Sequence, residues 1–162
     1  MLQAGLVMRN GHAWRQLQRL STLPSVTPMS AMAYIKQQWP DLPMDNLECD
    51  EVTSTRARLV QRVPSRDIRP GGFISGPCQF AMADVGMWVN VFGAKGLTAM
   101  AMTSEMSIRF LRPATGDTLK VETQVNSVGS RSIVMTATLW TGDNQNNPCS
   151  VAQGTYVMPR PR

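Results

Sequence analysis

The feature that most constrains this chain is an apolar run that opens on Gly71-Gly72-Phe73-Ile74-Ser75-Gly76-Pro77 and continues to Gly93. It contains a single acid, Asp84. A glycine turn followed by Pro77 predicts a helix start, because proline at the first helical position gives up an N–H that would have no partner there. Gly93-Ala94-Lys95-Gly96 supplies the residues that stop a helix, so the pattern predicts one over about 77–92. Wound at about 100° per residue, Asp84 falls between Phe80, Trp88 and Val91, and Gln79, Gly86 and Asn90 make a nearly opposite stripe. The helix therefore has a polar face that excludes Asp84. An ionised carboxylate among Phe, Val and Trp must find donors, give up its charge or sit in a cleft made for it.

A chain of 162 residues is most simply one domain with a real core. No apolar run reaches the length of a membrane span, so a membrane partner is not expected. Cys49, Cys78 and Cys149 lie far apart with no C-x-x-C pair, which argues against a disulfide scaffold and fits a reducing, cytoplasmic compartment. The formal charge of +5 is uneven: Arg9, Arg15 and Arg19, with no acid, place +3 of it in residues 1–28. A nucleic-acid partner, which would need a basic patch on the domain itself, is therefore not expected. His12, the one histidine, lies in that same extension. Ser-His-Asp and Cys-His nucleophile systems, His-based zinc sites and His-dependent dehydratases thus lack their central residue. Chemistry by carboxylates, hydroxyls and backbone amides is what remains, with no metal and no cofactor.

Along the chain, residues 1–28 read as a basic extension. An organelle transit peptide is one reading. The plainer one is an upstream extension or mobile arm, since Met29-Ser30-Ala31-Met32 resembles a natural start. Residues 29–46 form a short helix and loop, with Ser30 as N-cap and Trp39-Pro40 as the stop. The domain proper spans 47–162. Residues 47–63 read as extended, with Arg56, Arg58 and Arg62 on a wet strand face. After the long helix come four extended segments, over 97–111, 118–128, 131–141 and 149–158. Leu119, Val121, Thr123 and Val125 share one face of the second of these. The pattern is α+β: an antiparallel sheet wrapped around one long central helix.

The glycine turn, the acid eight residues after Gly76, and the later Phe110-Leu111-Arg112-Pro113-Ala114-Thr115-Gly116-Asp117 resemble the hotdog-fold acyl-CoA thioesterases. Within that family the phenylacetate-pathway type, close to the 4-hydroxybenzoyl-CoA thioesterases, is most similar. The resemblance covers roughly residues 47–158. It implies a homodimer, often paired again into a homotetramer, with active sites at the subunit interface. It also implies thioester hydrolysis, with the Gly76 amide polarising the carbonyl and Asp84 as nucleophile or general base. A helix N-terminus suits the first role independently, since its N–H groups are unpaired and carry partial positive charge.

Two departures from the family pattern bear on catalysis. Ser75-Gly76-Pro77 stands where the family often has His-Gly-Gly, and Pro77 has no N–H to serve as a second donor; the Cys78 amide is one candidate for that place. Arg69 stands where relatives commonly carry Asn or Gln; it could bind a carboxylate or phosphate of the ligand, or pair with Asp84. Thr103, Ser104 and Ser107 lie where relatives place hydroxyls that reach the substrate, and Arg131 where they carry a basic turn against the CoA phosphates. For each a plainer structural role is available: Cys78 as a small core residue, Ser75 as a helix cap, Arg131 as a solvated turn residue. The many methionines are core fillers or an adaptable acyl pocket. The alternative function is a non-hydrolytic acyl-CoA or fatty-acid binding protein on the same fold.

Overall fold

A computed structural model describes residues 25–43 and 46–159. Most of the basic extension, His12 included, lies outside the described residues. The helix α1 (Pro28–Gln38) is capped one turn earlier than Ser30 would place it. Thr27 is the N-cap: its side chain accepts from the Ser30 N–H at 3.1 Å, and the Thr27 N–H donates to Ser30 Oγ at 2.9 Å. This reciprocal pair satisfies two amide groups at the helix start and lets Pro28 take the first helical position.

The extended stretch 47–63 divides into β1 (Leu47–Val52) and β2 (Arg56–Arg62). Short β3 (Ile68–Arg69) and β4 (Phe73–Ile74) pair with each other and lead into α2 (Gly76–Lys95). Then follow β5 (Met102–Phe110), β6 (Thr118–Val128), β7 (Ser132–Thr141) and β8 (Ser150–Val157). The main sheet has six strands in the order β1-β2-β6-β7-β8-β5, and every pair is antiparallel. Its inner face carries Ala57, Leu59, Leu119, Val121, Ile133, Met135 and Leu139, all essentially without solvent exposure, and α2 lies across it.

The three strand arginines are ion-paired rather than simply solvated. Arg56 meets Glu51 at 2.6 Å, Arg58 pairs with Glu122 across the β2–β6 ladder, and Arg62 lies 3.8 Å from Asp117.

Helix α2 corrects the expected polar face. Gln79, Gly86 and Asn90 are all buried, and this stripe faces the sheet. Asn90 Nδ2 donates to Thr123 Oγ1 at 3.1 Å, and a Cβ added at Gly86 would come within 3.0 Å of Val121. A helix hidden on nearly all sides keeps polar groups in its core when neighbouring elements bond them. Its end is also later than expected. Gly93 stays helical, and the β1–β2 turn passes so close that a Cβ there would sit 1.9 Å from the Thr53 carbonyl oxygen, so only glycine fits. Gly96, at φ 86°, is the residue that ends the helix.

Candidate active site

Asp84 lies at mid-helix on the side of α2 turned away from the buried polar stripe, and it is only partly buried. Thr103 at the start of β5 donates its hydroxyl to Asp84 Oδ1 at 2.7 Å. Tyr156, near the end of β8, places its hydroxyl 2.7 Å from the same Oδ1 and 2.8 Å from the Asp84 carbonyl oxygen. The two strands bring these side chains together because they are neighbours in register, with Thr103 opposite Tyr156. Burial, reinforced by the adjacent Asp84 charge, pushes the Tyr156 phenol well above its usual range, so it remains a protonated donor. Both donors converge on Oδ1, and Oδ2 has no donor among the described residues. Sequence reasoning missed Tyr156. The available signal was its place on the inward parity of β8, with Ala152 and Gly154.

Asp84, Thr103 and Tyr156 line a cleft of about 620 Å³ whose other walls include Trp39, Trp88, Met100 and Met102. Gly76 lines a different cleft, of about 660 Å³, together with Arg69, Phe73, Gln79, Phe110 and Arg112. Gly76 is the first residue of α2, and no acceptor for its N–H occurs among the described residues. The Phe110 ring lies over it: a Cβ at this position would be 3.2 Å from the ring edge. Eight residues of helix separate Gly76 from Asp84, a rise of about 12 Å. Within one chain the amide and the carboxylate therefore open into separate clefts.

The other expected site residues are distributed as follows. Arg69 is exposed and shares the Gly76 cleft; no ion pair joins it to Asp84 among the described residues. The Cys78 N–H donates to Ser75 Oγ at 3.3 Å, so the amide expected as a second donor is already engaged in capping the helix. The Cys78 side chain borders a smaller recess with Gln61 and Asp67, and burial pushes its thiol up to about 11. Ser104 sits at the bulge where the β5–β8 register shifts, exposed and next to the Thr103 that holds Asp84. Arg131 is exposed in the β6–β7 turn and donates to the Met158 carbonyl at 3.3 Å. Lys95 braces the same turn through the Gly129 carbonyl, at 3.0 Å.

This arrangement of an antiparallel sheet around a swallowed helix resembles that of the hotdog-fold thioesterases, and residues 71–147 match the family model described as "Thioesterase superfamily". The fold read from the sequence is thus borne out, and the resemblance to this family is supported. A crystal structure from Silicibacter sp. TM1040, provisionally titled a thioesterase, superposes with a TM-score of 0.74 at 26% identity, covering 83% of this chain and 92% of that one. A Saccharolobus solfataricus protein provisionally named an esterase is 27% identical over 116 residues, 70% of this chain and 74% of its own. A hypothetical thioesterase from Streptococcus pneumoniae TIGR4, solved with coenzyme A, has a TM-score of 0.65 at 18% identity, over 76% of this chain and 94% of that one. Among the described residues no helix is long and apolar enough to cross a membrane.

Proposed function

We propose that the protein is an acyl-CoA thioesterase whose active site is completed between two copies of the chain. The observation that carries this reading is the Asp84 carboxylate, tied at Oδ1 by Thr103 and Tyr156 and facing a largely apolar cleft with Oδ2 unbonded. In the proposed reaction Oδ2 takes a proton from water, and the resulting hydroxide adds to the thioester carbonyl. The developing oxyanion lies on the Gly76 N–H of the other copy, where a well-aimed donor contributes roughly 3–4 kcal/mol. Collapse breaks the C–S bond; the leaving thiolate takes up the proton, and a carboxylic acid and free CoA result.

Three features support pairing. The amide and the acid are about 12 Å apart along one helix, too far to act on one carbonyl. Strand β5 is an edge of the sheet whose residues are nearly all exposed, the kind of edge that proteins cover or pair. Phe110 and Met102, at its two ends, are exposed large apolar side chains that each border one cleft. In this reading Arg69 contacts an anionic part of the ligand, Ser104 reaches the substrate from the bulge, and Arg131 meets the CoA phosphates. Cys78, whose side chain borders a different recess and whose amide caps the helix, takes no direct part.

The test is hydrolysis of an acyl-CoA panel followed by thiol release. Wild type is expected to turn over at least one member, and Asp84→Asn to lose about 10²- to 10⁴-fold in kcat. Equal rates for the two proteins would overturn the mechanism. A second reading, acyl-CoA binding without hydrolysis, is favoured by one observation: with Pro77 lacking an N–H and Cys78 N–H engaged, Gly76 is the only free amide at the helix start. Tight binding with no thiol release would decide for it.

A further inference from the structure

The cleft beside Asp84 has a wall that comes from outside the segment matched by the family model. Helix α1 ends at Gln38, and both Gln38 and Trp39 line this cleft, facing the loop that carries Ala99, Met100 and Ala101. The two sides are fastened together. The Ala99 N–H donates to the Tyr34 hydroxyl at 3.0 Å, and the Tyr34 ring meets Phe92 of α2 edge-on at 5.5 Å between centroids. Ala31 and Ile35, one turn apart on α1, are buried in the core and fix the helix in place. The indole of Trp39 is therefore held at the cleft, yet it remains 50% exposed, and Met100 and Met102 opposite are 64% and 56% exposed. Trp88 closes the inner end, nine-tenths buried, one helical turn beyond Asp84.

One exposed indole and two exposed thioethers around one carboxylate, with a buried indole at the inner end, describe a chamber for an apolar group joined to the atom on which that carboxylate acts. Its size, about 620 Å³, falls within the range of small-molecule sites, about 300–1,000 Å³. An acetyl group would leave most of these walls uncovered. We infer that Trp39, carried by α1, is a specificity-determining residue that selects bulky apolar acyl groups over short ones. This rests on the thioesterase reading for its reaction but not for its binding, and the two are separable.

The experiment compares decanoyl-CoA with acetyl-CoA in wild type, Trp39→Ala and Trp39→Phe. The expected result is a higher kcat/KM for decanoyl-CoA in wild type and a loss of at least about tenfold on that substrate in Trp39→Ala. Acetyl-CoA hydrolysis should change less than about twofold, and Trp39→Phe should recover most of the decanoyl rate. An equal loss on both substrates, or no loss on either, overturns the inference. Binding is measured in parallel by calorimetry in an Asp84→Asn background, which removes turnover. There decanoyl-CoA should bind at least about tenfold more weakly when Trp39 is Ala, while CoA alone binds equally to both. If wild type hydrolyses nothing but this binding difference is found, the thioesterase reading fails and the acyl chamber stands. Unchanged decanoyl-CoA binding overturns the chamber whatever the turnover.

Discussion

At the scale of single residues, Asp84 is defined by what holds it. A carboxylate with both donors on one oxygen is fixed in rotation about its last bond, and the other oxygen keeps a set direction. Tyr156 does most of this, because its hydroxyl also reaches the Asp84 main-chain oxygen and its ring is buried in the core. Tyr156→Phe keeps the packing and deletes the tether. We expect kcat to fall roughly 10- to 100-fold with KM for the acyl-CoA nearly unchanged, measured alongside a melting curve close to wild type. A parallel rise in KM would point to a role in binding instead. The acid and its helix register were legible in the sequence; Tyr156 was not. Its importance depends on β8 lying beside β5, a pairing between segments separated by β6 and β7 that no local pattern encodes.

Among the elements, α2 shows most clearly where periodicity and packing part company. Alternation located β6 closely, since Leu119, Val121 and Thr123 do face inward with no exposure. The helix was located too, but its polar stripe was assigned to the wrong side. Gln79 and Asn90 look like a solvent face until Thr123, Thr55 and Ile74 supply partners inside the core: Gln79 Nε2 donates to the Ile74 carbonyl at 3.1 Å. The expected strand over 97–111 begins only at Met102, because residues 97–101 are drawn away to α1 by Tyr34. Gly93, which looked like a stop signal, is a point of contact. The Thr53 turn it touches is itself fixed, with Thr53 Oγ1 accepting from the Thr55 and Arg56 amides at 3.3 and 2.9 Å. Gly93→Ala should therefore destabilise the protein by about 1–3 kcal/mol or more, despite the better helix propensity of alanine, in urea titrations. No change in the transition midpoint would mean that the turn yields.

For the whole molecule, two expectations follow. The first concerns alkaline stability. Burial raises the Cys49 and Cys78 thiols from 9.0 to about 11 in the fold. Between these values the unfolded chain has lost protons that the native chain still holds, so stability should fall as pH rises from about 9 towards 11. Urea midpoints at pH 8, 9.5 and 11 check the trend, and replacing both cysteines by alanine should make it shallower, leaving the part carried by Cys149 and Tyr156. The second concerns pairing. Gly76→Val and Asp84→Asn should each be inactive alone. Unfolded together and refolded as a mixture, they should regain about a quarter of wild-type activity, because half of the symmetric pairs are mixed and each mixed pair has one intact site. No recovery in a mixture shown to form mixed dimers would place the amide and the acid in the same chain.

The clasp between Tyr34 and Ala99 has a consequence for selectivity. The acid, its tethers and the helix-start amide all belong to the sheet and its central helix, whereas one wall of the adjoining cleft arrives on the N-terminal helix. In the proposed reading, chemistry and selectivity are thus carried on different parts of the chain. On that reading, exchanging residues 28–43 for another appendage changes the acyl preference and leaves the Asp84 carboxylate with its Thr103 and Tyr156 tethers in place.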